Sequence, residues 1–346
     1  MGGNIGNVQR VDNDEEKKGD LKSVGKYILK KIGKENELVL YHGKLSFYSQ
    51  NPAQLPIHYE YPLENPTMML SVKLPLVCLT GPFEKIKGAD VTARSIKKTQ
   101  MSQSSKEIGP ILIHNAISKF RDLSNVSIIR VIDFIATEHN YYLITEYCNG
   151  GSIRDYFQYL WSKEPPSATP SCVPEDTAKK LISQILWGIN TLFLRKIVLR
   201  NLCLDNIHIS AKEGNVKVKI TDLFRSKYLE NEFFTDNEEV LKFGKKEYLP
   251  PEIYQGKEYD DRIDIWAIGI ITYKLLFGFD RCPFGECKNE AELKKLIISK
   301  SPVNFIAKDE RGKEIVISEK AKEFISKALE RNFKVRPNFI QLKDLK

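Results

Sequence analysis

The stretch from Thr177 to Phe224 constrains the fold of this chain more than any other. Apolar residues recur at helical spacing from Thr177 to Leu194, T-A-K-K-L-I-S-Q-I-L-W-G-I-N-T-L-F-L, which predicts an amphipathic helix. A short turn and the pair Ile197-Val198 lead into a loop, Leu199-Arg200-Asn201-Leu202-Cys203-Leu204-Asp205-Asn206. Ile207 to Ile209 and Val216 to Ile220 read as two short strands about a turn at Glu213-Gly214-Asn215, running into Thr221-Asp222-Leu223-Phe224. Any fold for this chain must seat that polar loop between a long helix and a hairpin.

The loop resembles the catalytic loop of protein kinases, H-R-D-L-K-P-x-N, with Arg200, Leu202 and Asn206 in register. Asn201 stands at the position of the proton-accepting Asp, and Cys203 at that of the Lys. Asp222-Leu223-Phe224 resembles D-F-G, and Leu249-Pro250-Pro251-Glu252 resembles the A-P-E segment. Asp264-Ile265-Trp266-Ala267-Ile268-Gly269 is similar to D-x-W-x-x-G, and Arg336-Pro337 stands where the family places the Arg that pairs with Glu252. Tyr141 to Cys148, followed by Gly150-Gly151-Ser152, looks like a last small-lobe strand running into the hinge. The resemblance implies an α+β, two-lobed kinase fold, with a small β-rich lobe carrying one helix and a larger, mainly helical lobe. The expected boundaries are a disordered segment at 1–24, the small lobe at 25–147 and the large lobe at 148–346.

Composition agrees with that reading. A chain of 346 residues can hold two cores, and 42% hydrophobic with 28% charged residues is ordinary for a soluble protein. No run of about eighteen apolar residues occurs, and the start lacks a signal peptide's apolar centre. Six Cys without a C-x-x-C pair argue for reduced thiols, hence a cytoplasmic or nuclear setting. The net charge of +8 is scattered rather than striped with aromatics, so no nucleic-acid partner is expected. Gly2 partly meets the N-myristoylation pattern, but position six is Gly, and membrane contact would depend on that one acyl chain. Trp161 to Pro174, with Pro165, Pro166 and Pro170, reads as a surface insertion.

Two registers compete in the small lobe. In the first, Gly33 to Gly43 occupies the G-x-G-x-x-G-x-V-Y-x-G positions. Met69 to Leu74 is then the third strand, with Lys73 as the lysine that grips the nucleotide's phosphates. In the second, Leu79 to Glu84 is the loop and Thr92-Ala93-Arg94 the strand, which puts Arg94 in that role. The first is preferred, because the second leaves the strand-like stretch from Glu37 to Tyr48 without a place; it makes about 76–105 an insertion. Either register erodes the glycines that bring backbone amides to phosphates. The helix that usually supplies a Glu partner to the lysine is expected at Pro110 to Asp122, where Ala116 holds the Glu position and Glu107 is the alternative. Phe120, Val131, Leu199 and Leu223 take the family's apolar spine positions.

The resemblance assigns nucleotide binding to Gly33, Lys73, Glu146 and Cys148, metal binding to Asn206 and Asp222, and structural roles to Arg200, Glu252, Asp264 and Arg336. The structural alternatives are that Asp222 caps a turn and that Asn206 bonds the loop backbone. Cys203 reads as a small buried packing residue. Arg200 is placed to pair with a phosphate on the segment from Asp222 to Glu252, where Thr235 is the central hydroxyl, or with Glu238 or Glu239 instead. Lys245-Lys246 stands where the family shows Thr-Pro. A carboxamide at position 201 cannot accept a proton as a carboxylate does. The expectation is therefore a pseudokinase serving an unidentified protein partner as a regulatory or scaffolding module, with ATP and magnesium binding weak or absent. The alternative is a weak or unorthodox Ser/Thr kinase.

Overall fold

The computed structural model describes five strands at 16–17, 21–24, 27–35, 38–45 and 91–97, then residues 123, 125–136, 140–164, 172–212, 214–223, 225–299, 301–309 and 312–344. The chain forms two compact units that divide at Cys148, with Asn125–Ile128 belonging to the second. The expected α+β class is the one observed.

The first unit is built on an antiparallel sheet: β1 (Glu16–Lys17), β2 (Leu21–Val24), β3 (Tyr27–Glu35), β4 (Leu38–Leu45), β5 (Val91–Lys97), β6 (Val131–Ala136) and β7 (Asn140–Glu146). Its strand order is β1-β2-β3-β4-β5-β7-β6. Two expectations are corrected by it. The segment 1–24 contains β1 and β2, and β2 pairs with β3 from Leu21↔Lys30 to Val24↔Tyr27; the alternation L-K-S-V suits a strand once a neighbour supplies the ladder. The strand between β4 and β7 is Val91–Lys97, inside the stretch expected as an insertion. Its Arg94 is backbone partner to Leu40 on one side and Leu143 on the other. Each proposed register thus supplied one part of the sheet: the β3–β4 hairpin comes from the first and β5 from the second. Gly33 lies in β3 opposite Leu40, beside a register shift between Lys31 and Gly33, near the hairpin tip.

The second unit is mainly helical. In α1 (Ile153–Trp161) the Ser152 hydroxyl and the Asp155 carboxylate form a capping box. After it, α2 (Glu175–Phe193) buries Leu181, Ile185, Leu186, Ile189 and Leu192 along one face. The segment between these helices is anchored at its described ends: Trp161 stacks on Phe279 at 5.2 Å, and the buried Val173 donates its N–H to the Leu275 carbonyl. Beyond α2, β8 (Ile197–Val198) opens the loop of Leu199–Asn206, and β9 (Ile207–Lys212) with β10 (Asn215–Ile220) forms the hairpin, paired from Ile207↔Ile220 to Lys212↔Asn215. Gly188 of α2 lets the hairpin come close, since a Cβ there would stand 2.8 Å from Ile220 Cδ1. Next come β11 (Lys227–Tyr228), which pairs with β8, and the short helices α3 (Asn237–Phe243) and α4 (Pro251–Tyr254). Helix α5 (Arg262–Phe277) is buried from Ile263 to Phe277 and forms the core, with α6 (Glu290–Ile298), α7 (Glu319–Ala328) and α8 (Phe339–Lys343) following. Among the described residues no helix is long and apolar enough to cross a membrane.

Candidate functional site

The loop is held from below by α5. The buried Asp264 accepts the N–H of Leu199 at 2.7 Å and that of Arg200 at 3.0 Å. Arg200 has φ +65°, a left-handed backbone conformation that a non-glycine residue adopts only when its surroundings impose it. Burial pushes the Asp264 carboxyl up to about 7, against the pull of those two N–H donors. The far end of the loop is tied to the hairpin: Thr221 donates its N–H (2.9 Å) and its hydroxyl (3.1 Å) to the Asn206 carbonyl. Leu199, Leu202, Leu204 and Leu223 are buried around it.

These ties bring Asn201, Asn206 and Asp222 together. Asn201 donates Nδ2 to Asp222 Oδ2 at 2.5 Å, and Asn206 donates Nδ2 to the Asn201 carbonyl at 2.9 Å and to Asp222 Oδ2 at 3.4 Å. With its carbonyl oxygen turned toward the carboxylate, Asn201 would repel it, so the donor orientation is the stable one. One oxygen of Asp222 is thereby taken up by amide donors. The other, with Asn206 Oδ1, provides two oxygen acceptors of the kind magnesium takes beside waters and phosphates. This pair fits one divalent cation; among the described residues no cluster of three or more His, Cys, Asp or Glu does.

Cys203 lies under the loop at 1% exposure, and burial pushes its thiol up to about 12, so it is a packing residue and no nucleophile. Above it, Lys245 forms an ion pair with Asp205. Lys245 also lines a small cavity with Arg200, Asn201, Tyr248 and Asp264. Burial alone would lower the Lys245 pKa, but Asp205 reverses the sign and raises it.

Arg200 is satisfied by acids of its own chain. Its guanidinium, 1% exposed, bonds Asp236 at 2.8 Å and Glu239 at 3.3 and 3.4 Å, reaches the Tyr259 hydroxyl at 3.3 Å and the Arg225 carbonyl at 2.8 Å. Asp236 also receives Lys227 at 2.7 Å and the Tyr259 hydroxyl at 2.5 Å. Burial disfavours its charge, yet Glu239, Lys227 and Tyr259, with the Arg200 charge, hold its carboxyl well below the usual range. Of the two Glu residues considered from sequence, Glu239 makes the contact and Glu238 is exposed, as is Thr235. Asp236 was missed. It sits at the N-cap of α3 but makes no capping bond with its side chain, which is turned to Arg200 instead.

The remaining site residues fall as follows. Arg336 Nη1 and Nη2 meet Glu252 Oε1 and Oε2 at 2.7 and 3.0 Å, with both side chains buried. Glu146 is buried and accepts the Arg130 N–H at 2.9 Å, and Cys148 is buried. Lys73, Glu107, Ala116, Phe120 and Phe224 lie outside the described residues. With Val91–Lys97 as the strand between β4 and β7, the third-strand role given to Met69–Leu74 and its Lys73 is withdrawn, and the residue on that strand is Arg94.

Residues 83–346 match the family model described as "Protein kinase domain". Among characterised proteins, the chain is 27% identical over 214 residues to the serine/threonine-protein kinase ULK1 of Homo sapiens, covering 60% of this chain and 18% of that protein. It is 30% identical over 216 residues to the serine/threonine-protein kinase ATG1c of Arabidopsis thaliana, covering 62% and 27% respectively. The match therefore spans less than a third of either relative.

Proposed function

Because this chain belongs to the protein kinase family, we propose that it is a pseudokinase: a kinase domain that keeps a weak magnesium–nucleotide site and serves a protein partner as a regulatory or scaffolding module. The observation that carries this reading is the Asn201 amide donating to Asp222. In a working site the group at position 201 takes the proton of the attacking hydroxyl. A carboxamide has no basic lone pair for it, and here it donates one N–H to the metal-site carboxylate. Asn206 and Asp222 would hold magnesium through their free oxygens, and the ion would neutralise the nucleotide's phosphates when bound. The chain's own residues do the rest: Thr221 and Asp264 fix the loop, and Arg200 fixes the segment after Asp222. That segment is held by internal acids, so it offers a partner a fixed surface. No membrane helix occurs among the described residues, and we place the module in the cytoplasm or nucleus.

A second reading has its own support. The two relatives are named serine/threonine kinases, and positioning with charge neutralisation supplies much of phosphoryl transfer. A phosphoryl-transfer assay with radiolabelled ATP separates the two, using purified protein and protein hydroxyl acceptors. We expect no turnover, together with a small magnesium-dependent rise in melting temperature on adding ATP. Turnover that vanishes in Asp222→Ala would establish the weak-kinase reading in its place.

A further inference from the structure

Between α6 and α7 the chain makes a small hairpin whose outer face is partly apolar. Lys308 and Glu314 are antiparallel partners across it, and Ile315 donates its N–H to the Ala307 carbonyl at 2.9 Å. Side chains alternate between the two faces of such a pair. Ala307 and Ile317 are buried on the inner face, where Phe305 also meets Phe277 at 6.2 Å between ring centroids. The outer face carries Ile306 and Val316, each 80% exposed, and beside them the exposed Lys308 and Glu314. The hairpin is tied to the rest of its unit. The Asn304 N–H reaches the Pro283 carbonyl at 2.8 Å, the Tyr273 hydroxyl reaches the Asn304 carbonyl at 2.9 Å, and Arg281 donates to the Lys308 carbonyl. Single exposed apolar residues are ordinary, but here two share one face on an anchored backbone.

The charges decide what covers this face. Ile306 and Lys308 run along one strand, Val316 and Glu314 along the other, so an apolar row lies beside a row of one cation and one anion. About a two-fold axis parallel to the strands, the pattern is its own complement. Ile306 then meets Val316 of a second copy, Lys308 meets Glu314 of that copy, and each contact is made twice. We infer that this hairpin is a self-association face, on which a second copy of this chain docks. The patch is small, so the dimer is weak, with a Kd on the order of 100 μM. The contact is independent of the nucleotide site, and its failure leaves the proposed function standing.

Sedimentation equilibrium of the full chain over roughly 5 to 500 μM, which brackets that Kd, tests the inference. Ile306→Ser should weaken the dimer at least about tenfold, and Val316→Ser likewise. Lys308→Glu and Glu314→Lys each set like charges against one another twice, and each should weaken it about threefold to tenfold. An equimolar mixture of those two variants should recover the wild-type association, because each then meets its opposite charge in the other. The double variant Lys308→Glu/Glu314→Lys should recover it alone. Melting of each variant at low concentration reports folding and should match the wild type, since all four side chains are exposed. Val316→Ser stands in if Ile306→Ser does not fold. A wild type that stays monomeric throughout overturns the inference and leaves the face to a different protein. A dimer untouched by both serine variants, or a mixture that does not recover, overturns it as well.

Discussion

Arg200 and Asn201 are consecutive residues of one loop, yet one keeps its family's residue type and the other does not. Arg200 is buried and held by two acids, a tyrosine and a backbone carbonyl. Its left-handed φ is imposed by the Asp264 bonds beneath it, at a cost of order 1–3 kcal/mol that the surroundings offset. Asn201 is half-buried; its side chain is joined to a single carboxylate oxygen and its backbone carbonyl accepts from Asn206. The first residue organises the segment that follows Asp222; the second would do chemistry if it were an acid. The difference teaches that shape and proton transfer are separable in this fold. Position 200 is fixed by packing from several elements, so a change there damages the whole segment. The side chain at position 201 makes one bond, to Asp222, so it can change while the frame survives.

Breaking the better-tied residue should have the larger effect. Arg200→Ala leaves Asp236 and Glu239 facing each other without their shared cation, and we expect a loss of about 3–5 kcal/mol in denaturant unfolding. Amide exchange over 225–245 should accelerate with it. Phosphatase-treated wild type should show the protected pattern, since the acids replace a phosphate at Arg200. A loss under about 1 kcal/mol would show that the clamp is an ordinary surface pair.

Asn201→Asp should cost less but respond to an ion. The new carboxylate would face Asp222 Oδ2 across the present 2.5 Å contact, and like charges there raise one of the two pKa values. A rise of one unit corresponds to about 1.4 kcal/mol, so we expect a destabilisation of about 1–2 kcal/mol at pH 7, reversed by millimolar magnesium. Wild-type stability in magnesium-free buffer would mean that Asn201 does not hold Asp222.

How much of this was legible in the sequence follows from contact distance along the chain. The meeting of Asn201, Asn206 and Asp222 is local: a loop and the hairpin next to it, with turn and strand signals that read directly. The Arg200 clamp was read halfway. Glu239 was weighed because the acidic run is conspicuous, whereas Asp236 looks like an ordinary helix cap until its side chain is seen turned away from α3. The Lys245–Asp205 pair joins residues 40 apart and has no local signal at all. In the first unit, Met69–Leu74 was preferred to V-T-A-R-S-I-K as the third strand because the alternative left Glu37 to Tyr48 without a place, yet the structure pairs 38–45 with 91–97 in one sheet. Strand pairing is decided by neighbours, and β5 has them on both sides.

A pH-dependent effect concerns Asp264, which holds the loop at Leu199 and Arg200. The Asp264 carboxyl is pushed up to about 7 from 3.8 by burial, while the Leu199 and Arg200 N–H donors pull the other way. Between about pH 4 and 7 the folded chain would hold a proton that the unfolded chain has released. The contribution of this group to stability therefore falls as pH rises through that window and is level above it, by at most about 1.4 kcal/mol per pH unit. Asp236 behaves in the opposite sense: its depressed pKa stabilises the fold above the usual carboxylate range, and that support is lost only as the pH drops below it. The two windows do not overlap, so unfolding free energies of wild type and Asp264→Asn from pH 4.5 to 8 isolate the first. Their difference should shrink with rising pH up to about 7 and then stay constant. A difference independent of pH would mean that Asp264 is ionised throughout, and that the two N–H donors, not burial, set its charge.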